Sequence, residues 1–112
     1  MNEAIDKLVT KVSACQAACN HCYDACLKED DVDMMRTCIR TDRDCADICG
    51  MVLNFAHRDS LLFNDLLALC AKACDSCADE CEKHDHHEHC QACAKACREC
   101  AEACREYIEM NK

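Results

Sequence analysis

The chain has 112 residues, sixteen of them cysteine, and a formal net charge of −9. This acidic balance, without any block of Lys and Arg interleaved with aromatic residues, argues against a nucleic-acid partner. The lack of proline and tryptophan and the single glycine argue against turn-rich all-β and collagen-like folds and favour long helices.

Four segments have helical periodicity, and short polar clusters separate them. The four segments cover approximately residues 3–27, 32–57, 60–82 and 86–110. The expected N-terminal caps are Asp30 or Asp31, Asp59 or Ser60, and Asp85 in a capping box with Glu88. Because short links force neighbouring helices to run antiparallel, we predict an all-α fold for residues 1–112, a single-domain, antiparallel up-down-up-down four-helix bundle.

The cysteines recur at alternating spacings of three and four residues on every segment. This is the spacing of the a and d positions of a heptad, which face the interior of a bundle. Asp42 takes the skipped position between Cys38 and Cys45. We therefore predict a cysteine-lined core, the thiol core, made of Cys15, Cys19, Cys22, Cys26, Cys38, Cys45, Cys49, Cys70, Cys74, Cys77, Cys81, Cys90, Cys93, Cys97, Cys100 and Cys104.

The same heptad frame meets ordinary apolar residues where the cysteines stop. In an up-down-up-down fold these positions meet at one end of the bundle. We call this set the aliphatic end: Ile5, Leu8, Val12, Val52, Ala56, Phe63 and Leu67, closed by Tyr107 and Ile108.

No apolar run approaches the roughly 18 residues that span a bilayer, so we expect no membrane partner. The first segment carries Glu3 and Asp6 where a signal peptide would have a basic start and an apolar stretch. We therefore expect a cytoplasmic protein whose thiols stay reduced and serve metal binding. A scaffold of cross-helix disulfides is the alternative for an oxidising compartment.

Soft thiolates select Cu(I), Zn(II) or iron–sulfur clusters, and charge separates these candidates. Four Zn(II) ions, each on four thiolates, would leave about −8 inside the bundle. One Cu(I) per bridging thiolate brings the core close to neutral. Iron–sulfur ligands in ferredoxins lie on loops, whereas this spacing is helical throughout. Multiple Cu(I) ions are therefore favoured, with an iron–sulfur electron carrier and a zinc thiolate buffer as alternatives.

The repeated, in-register C-x-x-x-C blocks and the His-rich link before the last segment resemble the bacterial copper storage proteins in their cytosolic form. The resemblance covers nearly the whole chain. It implies storage or sequestration of Cu(I) without catalysis, assembly as a homotetramer, and core ligands at the sixteen cysteines. Asp42 and the aliphatic end depart from the fuller cysteine pattern and imply a smaller capacity.

Six further residues are candidates for metal entry or auxiliary ligation at the cysteine end. Imidazoles in the last link can hand an incoming ion to the first thiols, and a thioether on the heptad frame suits Cu(I). A carboxylate is a poor Cu(I) ligand but can neutralise an entering cation. These candidates are His84, His86, His87, His89, Met35 and Asp42.

Two further expectations concern partners and chemistry. Apolar residues off the heptad frame, including Leu62 and Leu69, suggest a second copy of the chain as a neighbour, with a wider core face on their helices as the alternative. No Ser/His/Asp or Cys/His arrangement stands out, and cysteines at every core position indicate capacity and not one activated nucleophile. We therefore expect a protein that is not an enzyme.

Overall fold

The computed structural model describes residues 3–112. It contains four α-helices and one short 3₁₀ turn, Val32–Met35. The helices are α1 (Glu3–Leu27), α2 (Arg36–Phe55), α3 (Phe63–Glu82) and α4 (Glu88–Met110). Across this part of the chain, no helix combines the length and apolarity needed to cross a bilayer.

The helices form an elongated bundle measuring 45 × 19 × 19 Å. α1 and α3 each pack against both α2 and α4. Lys7, near the start of α1, pairs with Glu106, near the end of α4, at 3.3 Å. At the other end, the sulfur of Cys26 on α1 lies 3.9 Å from that of Cys38 at the start of α2. Consecutive helices are thus antiparallel, which confirms the predicted four-helix bundle.

α2 begins at Arg36, four residues later than predicted, because the chain first forms the 3₁₀ turn. The backbone N–H of Met34 donates to the carbonyl of Asp31 at 2.9 Å, which closes that tighter turn. The Asp31 carboxylate makes no cap hydrogen bond and instead lies near His86 and His87. The predicted N-cap role of Asp31 is therefore wrong. α2 also ends at Phe55, two residues before the predicted end.

α3 and α4 also begin later than the sequence predicts, at Phe63 and Glu88. The Ser60 hydroxyl accepts a hydrogen bond from the Leu62 N–H, which stabilises a turn ahead of α3 and not its first turn. At α4 the N-cap residue is His87, and its side chain makes no cap hydrogen bond. The Asp85–Glu88 capping box is therefore not formed.

The aliphatic end is packed by large apolar side chains. Leu8, Val12, Val52 and Leu67 are fully buried there. Phe63 and Tyr107 meet edge to face, with ring centroids 5.6 Å apart. This packing holds the four helices together on one side of the thiol core.

Candidate metal centre

All sixteen cysteines are free thiols without exposed surface. The structure therefore confirms that the cysteines face the interior of the bundle. Each helix contributes at least three of them, so sulfur lines the interior on every side.

The sulfurs form a continuous network across the helices. The sulfur of Cys15 on α1 lies 3.8 Å from Cys45 on α2, 3.8 Å from Cys74 on α3 and 3.7 Å from Cys97 on α4. Two sulfurs that share a metal ion at about 2.3 Å each are at most about 4.6 Å apart. These spacings therefore allow one small soft ion to be held by thiolates from different helices.

Groups of four donor atoms within 4.8 Å of one another overlap along the core. Cys15, Cys19, Cys22 and Cys97 each belong to at least two of these groups. The groups that contain only sulfur include Cys15, Cys49, Cys74 and Cys100; Cys15, Cys19, Cys45 and Cys97; and Cys19, Cys77, Cys93 and Cys97. Shared sulfurs allow a thiolate to bridge two ions, so the core is suited to chained clusters better than to isolated sites.

Burial disfavours the charged thiolate form of the cysteines in the empty core. Burial raises the pKa of the Cys26 thiol, because the charged form loses solvation. Hydrogen bonding to Cys15, together with burial, raises the pKa of Cys19. Proton loss from such thiols thus becomes favourable only when a cation replaces the proton.

Asp42 is a fully buried carboxyl among these thiols. Its Oδ1 accepts hydrogen bonds from the thiols of Cys77 at 3.1 Å and Cys93 at 3.4 Å, and its Oδ2 lies 3.8 Å from the sulfur of Cys38. Burial is the main cause that raises the pKa of Asp42 to about 8, because the charged carboxylate loses its solvation in the core. The carboxyl therefore belongs to the core and is protonated in the metal-free protein near neutral pH.

Of the four histidines predicted at the last link, only His89 contacts the thiols within residues 3–112. Its Nδ1 lies 3.4 Å from the sulfur of Cys22, 3.6 Å from Cys90 and 4.0 Å from Cys26. These four residues form one of the overlapping donor groups. The core at this end is therefore suited to a mixed nitrogen and sulfur site.

Two more imidazoles continue outward from His89. The rings of His87 and His89 stack with centroids 5.3 Å apart, and those of His86 and His87 lie 4.0 Å apart. The side chain of His86 is 59% exposed, whereas those of His87 and His89 are 13% and 14% exposed. The three rings thus connect solvent to the first thiols.

The remaining candidates, His84 and Met35, lie elsewhere at this end. The Nε2 of His84 lies 2.9 Å from Glu80 Oε2, one turn back on α3, and no contact with a thiol is found for this ring. Within residues 3–112, the structure therefore does not bring His84 into the histidine stack. Met35 is fully buried at the end of the 3₁₀ turn.

Two carboxylates that the sequence patterns did not predict hold these histidines. Glu80 pairs with His84, and the Oε2 of Glu29 lies 2.8 Å from Nε2 of His89. The Glu80–His84 pair has the i, i+4 spacing that could have identified it. Glu29 and His89 are 60 residues apart, so no local pattern in one sequence joins them.

Comparison with known proteins places this arrangement in a family. A family model described as copper storage protein matches residues 1–109. The chain is 44% identical to the Cu(I)-bound copper storage protein BsCsp3, with a TM-score of 0.89 and coverage of 95% of this chain and 99% of that one. It is 40% identical to a cytosolic copper storage protein from Streptomyces lividans, whose structure holds five coppers, with a TM-score of 0.92 and coverage of 96% and 93%.

The comparison of amino-acid sequences also finds a similar protein. The cysteine-rich protein YhjQ of Bacillus subtilis (strain 168) is 52% identical over 82 residues, which are 73% of this chain and 75% of that protein. The similarity to these relatives thus extends over most of the bundle.

Proposed function

This chain belongs to the copper storage protein family, and we propose that it stores Cu(I) ions in the cytosol on the thiolates of its core. The observation that carries this function is the set of sixteen buried thiols, with sulfurs shared between neighbouring donor groups. Similarity to a Cu(I)-bound and to a cytosolic relative supports both the cargo and the compartment.

The ligands of the stored ions are the sixteen core cysteines, and the ions replace their protons. One ion per bridging thiolate neutralises the core, which is why a monovalent soft cation fits better than Zn(II). With two unshared sulfurs per ion the capacity is about eight, and with full bridging it is about sixteen.

Entry takes place at the histidine end. His86, His87 and His89 pass an ion from solvent to Cys22, Cys26 and Cys90. Asp42 and Met35 act as auxiliary groups behind this entrance. The hydrogen bonds between Asp42 and the thiols rearrange as ions bind to those thiols.

The aliphatic end closes the opposite end of the core. Storage involves no catalysis, because no thiol is exposed to a substrate.

Anaerobic titration of the reduced protein with Cu(I), in competition with a chelator and with thiol counting, tests this function. We expect between about eight and about sixteen ions per chain and tighter binding of Cu(I) than of Zn(II). Saturation near four ions, or tighter binding of Zn(II), would overturn the assignment.

The ligand assignment has its own test. The double variant Cys74→Ser, Cys77→Ser should bind about two ions fewer if each thiolate carries one bridging ion, with an unchanged helical signal. The matched control is Ser76→Ala, an exposed position on the same stretch of α3, which should keep the full capacity. Full capacity in the double variant would contradict the role of these thiols.

The chain also assembles as a homo-oligomer, a tetramer by its family resemblance. Leu62, the N-cap residue of α3, and Leu69, within α3, are 61% and 50% exposed and lie seven residues apart, which places them on the same side of the bundle. The variant Leu62→Glu, Leu69→Glu should shift the mass measured by light scattering to that of a smaller species. Leu27→Glu, an equally exposed position at the end of α1, is the control. An unchanged mass in the α3 variant would exclude this face.

A further inference from the structure

Glu29 connects the two links at the entrance of the thiol core. It lies just after α1, and its Oε2 is 2.8 Å from Nε2 of His89 and 2.8 Å from Nδ1 of His87. Its side chain is 28% exposed, so water only partly competes for these contacts. One carboxylate oxygen from the first link thus holds two imidazoles at the start of α4.

The contact with His89 determines which of its ring nitrogens carries hydrogen. A carboxylate only accepts hydrogen bonds, so His89 must donate to Glu29 through Nε2–H, whereas Nδ1 of His87 lies in close contact with the same oxygen. A neutral imidazole has one donor and one acceptor nitrogen. The lone pair of His89 therefore resides on Nδ1, the atom that faces the sulfurs of Cys22, Cys90 and Cys26.

We propose that Glu29 is a positioning residue that fixes the tautomer and the ring orientation of His89, and thereby directs the Nδ1 lone pair toward the first ion that enters the thiol core. This role rests on the proposed storage function. In metal sites generally, a carboxylate that accepts from the second nitrogen of a ligating imidazole performs this task.

The neighbouring acidic residues do not make the same contact. Asp31 lies 3.5 Å from His87 Nε2 and 3.6 Å from His86 Nε2, farther out along the histidine stack. Asp30 is exposed on the same link. The backbone N–H of Glu29 donates to the carbonyl of Cys26 at 3.3 Å, which ties Glu29 to the turn that carries one of the entrance thiols.

Three variants separate the effect of the Glu29–His89 hydrogen bond from the effect of negative charge on the first link. Glu29→Ala removes the acceptor, Glu29→Gln keeps an acceptor oxygen without the charge, and Asp30→Asn removes one charge from the same link without touching His89. The first readout is ¹⁵N NMR of histidine-labelled, reduced, metal-free protein at pH 8, above the ordinary imidazole pKa of about 6.5. The second is the affinity for the first Cu(I) ion in competition with a chelator.

In the wild-type protein and in Glu29→Gln and Asp30→Asn, we expect hydrogen on Nε2 of His89. Glu29→Ala should show a mixture of both tautomers and should bind the first ion about 10- to 100-fold more weakly, at full total capacity. Hydrogen on Nδ1 of His89 in the wild type would overturn the proposal. So would an unchanged tautomer and affinity in Glu29→Ala, or an equal loss of affinity in Asp30→Asn.

Failure of the Glu29 role and failure of Cu(I) storage would give different experimental results. The tautomer is read without copper, so it stands or falls independently of storage. A low Cu(I) capacity in the wild-type protein would refute storage itself, whatever the tautomer of His89.

Discussion

The aliphatic end and the thiol core follow one heptad frame on the same four helices, yet they fill it with different side chains. Leu8, Val12 and Leu67 bury large apolar surfaces at one end, and cysteines occupy the equivalent positions along the rest of the bundle. A cysteine buries less apolar area than a leucine, so it stabilises the fold less. We therefore expect bound ions to stabilise the thiol core, and we expect no such contribution at the aliphatic end.

This division allows the copper content to vary without loss of the fold. The aliphatic end holds the helices together when the core contains only thiols. The core can then exchange protons for ions while the helices keep their register. The following predictions test whether stability and capacity are separated in this way.

The largest expected effect is the stabilisation of the bundle by its cargo. One ion at 100 times its Kd contributes about 2.7 kcal/mol, and 1 kcal/mol moves the Tm of a domain of this size by about 4 °C. Several ions should therefore raise Tm by at least about 20 °C, as measured by circular dichroism of anaerobic apo and loaded protein. Nearly equal melting temperatures would show that the thiol core is as stable empty as full.

The next effect is the pH dependence of the metal-free protein. The folded Asp42 carboxyl has its pKa raised to about 8, chiefly by burial, from an ordinary value of 3.8. Folding is therefore coupled to the uptake of a proton between these pH values. The contribution of Asp42 to the free energy of unfolding is fully present below about pH 4, falls as the pH rises, and levels off near pH 8. The fall is at most about 6 kcal/mol, at 1.36 kcal/mol per pKa unit.

Urea unfolding of apo protein between pH 5 and 8 measures this slope. The Asp42→Asn variant has an uncharged side chain at this position in both the folded and the unfolded state. Its free energy of unfolding should therefore depend less on pH than that of the wild-type protein. The other ionisable groups are common to both proteins, so the difference between the two curves isolates Asp42. Parallel curves would show that the carboxyl is not neutral in the folded core.

Leu67→Ala tests the aliphatic end directly. Removal of this fully buried side chain should lower the free energy of unfolding by about 2–5 kcal/mol. Its Cu(I) capacity should stay at the wild-type value. Leu61→Ala, at a completely exposed position, should change stability by less than about 0.5 kcal/mol. A loss of capacity in Leu67→Ala would show that the two regions are coupled.

The smallest effect concerns the outer surface of the thiol core. Arg98 on α4 pairs with Asp75, Asp79 and Glu82 on α3 at 3.3, 2.7 and 2.8 Å. These pairs are solvent-accessible, so Arg98→Ala should cost about 1 kcal/mol at low salt and less in 1 M NaCl. Urea unfolding at both salt concentrations measures this. A salt-independent loss would instead indicate packing of the Arg98 side chain against the helices.

The helices and their inward faces were predictable because the relevant signal is local. Alternating spacings of three and four residues define one face of a helix wherever they occur. The same regularity identified the aliphatic end, because Val12 and Val52 continue the frame set by the cysteines. Helix starts were less predictable. Ser60 stabilises a preceding turn, and Asp31 faces histidines of another link, so neither side chain caps a helix.

The amino-acid sequence alone determined the four amphipathic helices and the thiol-lined interior, and it supplied the charge argument that favours a soft monovalent ion, since spacing and charge need no knowledge of distant neighbours. Only the tertiary structure decided how the entrance is arranged: His89 faces the thiols, His84 pairs with Glu80, and Glu29 holds two imidazoles. These contacts join separate links of the chain, and their geometry depends on how the folded helices bring the links together.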